Sequence, residues 1–137
     1  MPPVETRLRV RYAETYQLGV VYYANYLVWM ELGRVEYCRA AGIRYRDMEQ
    51  DDGILLAVTE ASCRYASPAR YDEEVIVRTW LKKVRESVII FNYELARANN
   101  GMLLAEGETI HIVTDSKMQV ASLPTKYLTV FRTAARK

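Results

Sequence analysis

Residues 12–26, YAETYQLGVVYYANY, place an acidic residue, a glycine and several tyrosines just ahead of a long apolar segment. Glu14 ends a run of alternating residues, Gly19 suits a tight turn, and an apolar helix can begin soon after it. The first N–H groups of a helix have no partner within the helix and lie at its positive end. Such groups can polarise a carbonyl oxygen and stabilise the oxyanion of an acyl transfer. The backbone amides that follow Gly19 are therefore candidates for this chemistry.

Tyrosine is unusually frequent in the same stretch. The chain has 11 tyrosines, and four of them lie within eleven residues: Tyr16, Tyr22, Tyr23 and Tyr26. Because tyrosine joins a large apolar ring to a polar hydroxyl, the cluster predicts a pocket wall or a subunit interface. A core rim whose hydroxyls face water is the simpler alternative for any single tyrosine.

A helix is expected over about residues 24–41. The segment has no proline, Asn25 can cap its start, and Gly42 suits the left-handed conformation that ends many helices. Its only charged residues are Glu31, Arg34, Glu36 and Arg39. A helix that is apolar around most of its circumference must be covered on nearly all sides, so this one should lie inside the fold.

Strands are expected on both sides of the helix. Residues 5–14 alternate between apolar and polar side chains, as a half-buried strand does. After the helix, strands are expected over residues 53–67, 73–83, 87–97 and 102–114, then a short strand near 118–121 and a helix over 124–134. The sequence Asn99-Asn100-Gly101 indicates a hairpin turn between two of these strands.

This order of elements predicts an α+β fold, with a curved antiparallel sheet wrapped around one long central helix. The length suits one domain over residues 1–137. Such a sheet has exposed edges, and pairing two subunits edge to edge is a common way of covering them. At least a dimer is therefore expected.

Composition and rare residues exclude several classes of function. A formal net charge of +2 is too small to indicate a nucleic-acid or membrane partner. Cys38 and Cys63 lie in apolar runs without metal-ligand spacing and are predicted to be reduced core residues. His111, the only histidine, is predicted to pack in the core, which leaves no His-based metal cluster. Without an apolar signal segment or a membrane-length run, a cytoplasmic location is expected.

Two segments resemble a known family. Residues 9–43, RVRYAETYQLGVVYYANYLVWMELGRVEYCRAAGI, resemble the helix-start motif of hotdog thioesterases grouped with 4-hydroxybenzoyl-CoA thioesterase and the Tol–Pal-associated acyl-CoA thioesterases. Residues 63–81, CRYASPARYDEEVIVRTWL, resemble the second and third strands of that family. The resemblance extends from about Thr6 to His111.

The resemblance implies a hotdog fold, a homodimer or homotetramer, and hydrolysis of thioesters carried by coenzyme A or by an acyl carrier protein, without a metal or redox cofactor. In that family a backbone amide at the start of the central helix holds the substrate carbonyl, and the active sites lie at the dimer interface. The matching substrate-binding residues here are Gly19, Val20, Val21, Tyr22 and Tyr23.

One position departs from the family pattern, which reads acid-x-Asp-x-x-Gly. Glu14 and Gly19 match its two ends, but Tyr16 stands where the family has its catalytic Asp. Tyrosine is neutral near pH 7 at its ordinary pKa, so it is a poor general base and cannot replace a carboxylate nucleophile. The departure questions the family's usual mechanism and not the fold.

Several explanations of this departure stay open. Glu14 can replace the missing Asp, although two residues along a strand move a side chain by about 6–7 Å on the same face. A solvated or capping acid is the simpler role for Glu14. Glu31 or Glu60 can supply the base, since some hotdog thioesterases draw it from the central helix. An ion pair with Arg34 or Arg39 across a subunit contact is the simpler role for Glu31.

The chain also resembles the enediyne polyketide thioesterases, whose motif EETNxxGNVYYxNY lacks the Asp as well. A tyrosine and an arginine of their central helix assist hydrolysis, and they match Tyr26 and Arg34. Water would then attack a carbonyl polarised by helix amides, with Tyr16 or Tyr26 donating a hydrogen bond. In the remaining explanations the protein binds thioesters with little turnover, or Tyr16 replaces an original Asp.

Two further possibilities carry less weight. A hotdog dehydratase relies on a histidine with a nearby acid, and His111 lies too far along the chain for that motif. Basic residues near strand ends are candidates for contact with the phosphates of coenzyme A, and none of them is singled out: Arg64, Arg70, Lys82, Lys83, Arg85 and Lys117.

Overall fold

A five-stranded sheet forms the frame of the computed structural model, which describes residues 1–136. The strands are β1 (Val4–Arg9), β2 (Leu55–Tyr65), β3 (Glu74–Val84), β4 (Val88–Arg97) and β5 (Leu103–Thr114). They lie in the order β1-β3-β4-β5-β2, and every neighbouring pair is antiparallel. Alternate residues of β3 and β4 are buried, as expected for strands with one face on the core. The predicted α+β architecture is confirmed.

The central helix, α1, spans Asn25–Ala41 and ends at Gly42, whose φ of 96° is left-handed. It packs closely on β3 at Gly33, where an added Cβ would lie 2.5 Å from Thr79 Oγ1. The predicted helix is therefore confirmed, including the glycine that ends it.

The expectation that α1 is covered on nearly all sides is wrong for the single chain. Leu27, Val28 and Leu32 remain 37%, 47% and 46% exposed. These three residues form one apolar strip along the helix, which the rest of the described chain leaves partly uncovered.

Two further helices complete the chain: α2 (Tyr45–Asp52) and α3 (Thr125–Ala135). The prediction over residues 124–134 is confirmed by α3, whereas sequence analysis assigned no element to α2. Met48 is the one buried residue of α2, so its sequence lacks the apolar periodicity by which a helix is recognised. The expected strand near residues 118–121 is wrong, because only an isolated bridge between Thr114 and Val120 forms there.

The hairpin between β4 and β5 is confirmed at the predicted turn. Gly101 has a φ of 71°, and the Arg97 N–H donates to the Met102 carbonyl at 2.9 Å. Within residues 1–136, no helix is both long and apolar enough to cross a membrane.

Candidate active site

The chain approaches α1 through two single-turn 3-10 helices, Tyr12–Glu14 and Gln17–Gly19. The prediction that the first strand continues to Glu14 is wrong, because β1 ends at Arg9. The cause is local: the Arg11 N–H donates to Glu14 Oε1 at 2.8 Å, which bends the backbone out of the extended conformation. The alternating pattern alone does not reveal this hydrogen bond.

Glu14 holds this approach segment against α1. The indole Nε1 of Trp29 donates to Glu14 Oε2 at 2.8 Å, and the Arg11 guanidinium lies 3.4 Å from the same oxygen. Burial alone would raise the pKa of the Glu14 carboxyl, but the hydrogen bonds from Arg11 and Trp29 and the charge of Arg11 outweigh it and lower the pKa. Both carboxylate oxygens therefore accept hydrogen bonds from within the chain.

Some backbone N–H groups ahead of α1 already donate hydrogen bonds, and others have no acceptor within residues 1–136. The Val21 N–H donates to the Ala69 carbonyl at 2.9 Å, and the Tyr22 N–H donates to the Glu14 carbonyl at 2.9 Å. Among the atoms of residues 1–136, neither the Tyr23 nor the Ala24 N–H has an acceptor. Of the amides singled out in the sequence, those at Val20 and Tyr23 thus have no acceptor within residues 1–136, and neither has that of Ala24, which sequence analysis missed.

Gly19 and Val20 form the turn ahead of these amides. The Gly19 N–H donates to the Tyr16 carbonyl at 3.1 Å, and the Gly19 carbonyl accepts from the Tyr71 N–H at 2.8 Å. Val20 lies opposite Arg70 in an isolated bridge, but the hydrogen bonds beside that bridge belong to Gly19 and Val21, and the Val20 N–H itself has no acceptor among residues 1–136. Gly19 has a φ of 71°, in the left-handed region that favours glycine.

A row of tyrosine rings surrounds the free amides. The centroids of Tyr16 and Tyr22 are 6.0 Å apart, and those of Tyr22 and Tyr23 are 4.7 Å apart. Tyr65 of β2 continues the row, with its ring 6.3 Å from Tyr23 and its hydroxyl donating to the Tyr23 carbonyl at 3.0 Å. Tyr16 and Tyr23 are 57% and 59% exposed, so the row is an open aromatic wall. Sequence analysis found three members of this row and missed Tyr65.

Tyr26 lies beneath this wall and is buried. Its hydroxyl accepts a hydrogen bond from the Ala69 N–H at 3.0 Å, and burial raises the pKa of that hydroxyl. Because the Ala69 carbonyl accepts from Val21, Tyr26 also fixes the loop that holds the approach segment. This contact gives Tyr26 a positioning role beside the free amides.

The remaining predicted catalytic residues lie elsewhere on the chain. Glu31 is exposed and forms no ion pair within residues 1–136, whereas Arg39 is paired with Glu36. Glu31 follows Tyr23 by eight positions, a rise of about 12 Å along a helix. Arg34 lies farther along, and Glu60 is exposed on the edge strand β2. The single chain therefore brings Glu14, Tyr16, Tyr23 and Tyr26 together and leaves these other three residues apart from them.

The cysteines and the histidine match their predicted core roles in part. Both thiols are free; Cys38 is buried and Cys63 is half-buried. Burial raises the pKa of the Cys38 thiol to about 12. His111 is buried with its Nε2 2.8 Å from Thr109 Oγ1, and burial, aided by the charge of Arg34, lowers the pKa of its imidazole to about 4. The prediction of a core histidine is confirmed.

Comparison with known proteins places this geometry in a family. Residues 10–131 match the Thioesterase-like superfamily. The putative acyl-CoA thioesterase YneP of Bacillus subtilis is 37% identical over 110 residues, which are 80% of this chain and 78% of that protein.

Two solved structures share the fold over nearly the whole chain. A hypothetical protein TT1821 from Thermus thermophilus has 35% identity and a TM-score of 0.91, covering 98% of this chain and 99% of that one. The DHNA-CoA thioesterase from Staphylococcus aureus has 30% identity and a TM-score of 0.92, covering 97% and 91%. These findings confirm the family and fold that the helix-start motif predicts. The chain belongs to the Thioesterase-like superfamily and is a hotdog-fold thioesterase.

Proposed function

We propose that the protein hydrolyses acyl thioesters of coenzyme A or of an acyl carrier protein, with the substrate carbonyl oxygen bound by the N–H groups of Tyr23 and Ala24. The observation that carries this proposal is the pair of amides without an acceptor at the positive end of α1, beside an open aromatic wall. The names of the Bacillus and Staphylococcus relatives support coenzyme A as the carrier.

Glu31 is the proposed general base, supplied by the neighbouring copy of a homodimer that covers Leu27, Val28 and Leu32. Two observations support this choice. Glu14 already accepts hydrogen bonds on both oxygens, and Glu31 is an exposed carboxylate on the uncovered side of α1 that has no ion pair among residues 1–136. A second copy would cover the apolar strip and could carry its own Glu31 towards the free amides. Further pairing of such dimers would give a homotetramer.

The reaction follows from these roles. Glu31 accepts a proton from water as the water oxygen bonds to the thioester carbonyl carbon, and the amides of Tyr23 and Ala24 hold the resulting oxyanion. The C–S bond then breaks, the carbonyl re-forms, and the proton returns from Glu31 to the leaving sulfur. The products are a carboxylic acid and a free thiol.

A second candidate function is non-catalytic binding of acyl thioesters. The observation that favours it is Tyr16, an exposed phenol where the family pattern has a carboxylate. A hydrolysis that uses Tyr16, Tyr26 and Arg34 without a carboxylate is the corresponding catalytic alternative. A cytoplasmic location belongs to the proposal as well, since both cysteines are free.

The test is thiol release from short-chain, medium-chain, long-chain and aryl acyl-CoAs and from an acylated carrier protein. We expect turnover by the wild type and a loss of about 100-fold or more in kcat for Glu31→Gln. Glu36→Gln on the same helix is the matched control and should stay near wild type, because Glu36 is already paired with Arg39.

Each other outcome selects an alternative. Full activity of Glu31→Gln with loss in Tyr26→Phe would favour the carboxylate-free mechanism. If the wild type releases no thiol and Tyr16→Asp does, the protein has a competent active-site geometry but lacks the general base. Binding of a thioester without any thiol release by either protein would establish the binding function instead. Sedimentation of the wild type beside Leu32→Asp would test the dimer.

A further inference from the structure

The loop between β2 and β3, residues 66–73, forms backbone hydrogen bonds with the segment that leads to α1. The Tyr71 N–H donates to the Gly19 carbonyl at 2.8 Å, and the Val21 N–H donates to the Ala69 carbonyl at 2.9 Å. The free amides follow Val21 by two and three residues. Their position therefore depends on where this loop lies.

A partly buried ion pair holds the same loop to β4. The Arg97 Nε lies 2.8 Å from Glu73 Oε2, and the two side chains are 14% and 25% exposed. The Arg97 Nη2 also donates to the Pro68 carbonyl at 3.1 Å. The other carboxylate oxygen of Glu73, Oε1, accepts a hydrogen bond from the Arg70 N–H at 2.7 Å. One guanidinium thus contacts both ends of the loop, and Glu73 links it to the turn between them.

This ion pair lies on the core side of the sheet. Arg97 is opposite Val75 of β3, and both Val75 and Leu95 are fully buried, so the Arg97 side chain leaves β4 on the face that packs against the core. Burial is the largest influence on the pKa of the Tyr26 hydroxyl, and the charges of Glu73 and Arg97 reach it as well. The pair therefore lies close to the buried hydroxyl that accepts the Ala69 N–H.

We propose that Glu73 and Arg97 are positioning residues for thioester hydrolysis. Their ion pair holds the loop in place, and the loop in turn keeps the N–H groups of Tyr23 and Ala24 aimed at the substrate carbonyl oxygen. The inference rests on the proposed function, which assigns the oxyanion to these two amides. Preorganised donors stabilise an oxyanion only where it forms, and a displacement of about 1 Å can cost about 100-fold in rate.

The degree of burial distinguishes this pair from an ordinary surface ion pair. Exposed pairs are screened by water and contribute little, whereas removal of one partner from a buried pair leaves an uncompensated charge. The pair between Arg78 and Glu94 offers a direct comparison, since its atoms are 3.4 Å apart and both side chains are 41% exposed. Glu94 precedes Arg97 by three residues on β4 and points to the opposite face. It is therefore a matched control.

The first test separates a local effect at the start of α1 from a general loss of stability. In the protein without substrate, hydrogen exchange is followed by NMR at the Val21 amide and at the Phe91 amide, which lies in the central strand β4. We expect Arg97→Met to accelerate exchange at Val21 by about tenfold more than at Phe91. Arg97→Lys keeps the positive charge and should have a smaller effect.

The second test measures thiol release from the acyl-CoA that the wild type hydrolyses best. Because the oxyanion exists only during reaction, Arg97→Met and Glu73→Gln should lower kcat by about tenfold or more and leave KM within about twofold. Glu73→Gln keeps an oxygen that can accept from the Arg70 N–H but removes the charge that faces Arg97. Glu94→Gln should change neither kcat nor the exchange at Val21.

Equal acceleration of exchange at Val21 and Phe91 in Arg97→Met would overturn the inference. So would an undiminished kcat in Arg97→Met and Glu73→Gln, or an equal loss in Glu94→Gln. If Arg97→Met does not fold by circular dichroism, Glu73→Gln decides in its place, because it exchanges one oxygen for an NH2 group. If the wild type releases no thiol, the proposed hydrolysis fails, and the exchange comparison still decides whether the ion pair holds the start of α1.

Discussion

The start of α1 and the surroundings of Arg34 leave polar groups without partners in opposite ways. At the start of α1, the free N–H groups of Tyr23 and Ala24 lie among exposed tyrosines, where water can satisfy them. Around Arg34, the Nε atom is fully buried and has no hydrogen-bond acceptor within residues 1–136. The first arrangement costs little and suits a neutral carbonyl that becomes charged only during reaction. The second is held at a cost to stability.

The charged side chains of Glu14 and Arg34 also differ in their partners. Glu14 is buried with hydrogen bonds from Arg11 and Trp29, and its role is to fix the segment that presents the amides. Arg34 forms no ion pair within residues 1–136, and its Nε has no hydrogen-bond acceptor there. Glu14 therefore stabilises the fold through its partners, whereas no carboxylate offsets the cost of burying part of the Arg34 guanidinium. The predictions below test this distinction.

The largest expected effect comes from neutralising Glu14. Glu14→Gln keeps the size of the side chain but weakens the bonds from Arg11 and Trp29, and the free energy of unfolding should fall by about 3 kcal/mol. Urea unfolding followed by tryptophan fluorescence measures the change. Glu86→Gln, at an exposed position, is the control and should change stability by less than about 0.5 kcal/mol. A similarly small change in Glu14→Gln would break the contrast with Arg34.

Acid should destabilise the fold because it protonates His111, which is buried near Arg34. Its pKa falls from 6.5 to about 4 on folding, because burial and then the charge of Arg34 oppose protonation. The unfolded state therefore binds the proton more tightly, and the contribution of about 3 kcal/mol is complete above pH 6.5 and lost as the pH falls to about 4. Unfolding free energies measured across this range should decline for the wild type. In His111→Gln the decline should be smaller, and equal slopes for the two proteins would contradict the prediction.

Adding one methyl group at Gly33 should disturb the position of the whole central helix α1. The new Cβ would lie 2.5 Å from Thr79 Oγ1 and 2.8 Å from Val77 Cγ1, so α1 must move away from β3. We expect Gly33→Ala to lower the free energy of unfolding by about 1–3 kcal/mol and to reduce turnover. Ala40→Gly, at an exposed position of the same helix, is the control for helix propensity and should cost about 1 kcal/mol. An unchanged turnover in Gly33→Ala would show that the amides do not depend on this close approach.

The sequence predicts the strands and the central helix of this molecule better than the contacts of its candidate active site. The long strands and α1 follow from apolar periodicity and from Gly42, which are local signals. The Val21 N–H is hydrogen-bonded because Ala69, a residue distant in the sequence, lies beside it. The sequence alone therefore could not distinguish the engaged N–H of Val21 from the free N–H of Tyr23. Tyr65 and the surroundings of Arg34 were missed for the same reason, since they form only when β2 and β5 pair beside the helix.

The smallest expected effect is also the one that most directly tests the contrast. Replacing Arg34 by methionine keeps an unbranched apolar stem and removes a cation that forms no ion pair within residues 1–136, so the free energy of unfolding should rise by about 1 kcal/mol at pH 7. Since the charge of Arg34 also helps to lower the pKa of His111, the loss of stability in acid should shrink in the same variant. Unfolding at pH 7 and pH 5 measures both effects, with Arg46→Met as the control that should change neither. A loss of stability in Arg34→Met would mean that the cation has a stabilising partner within the protein. Arg34 would then have a structural role like that of Glu14.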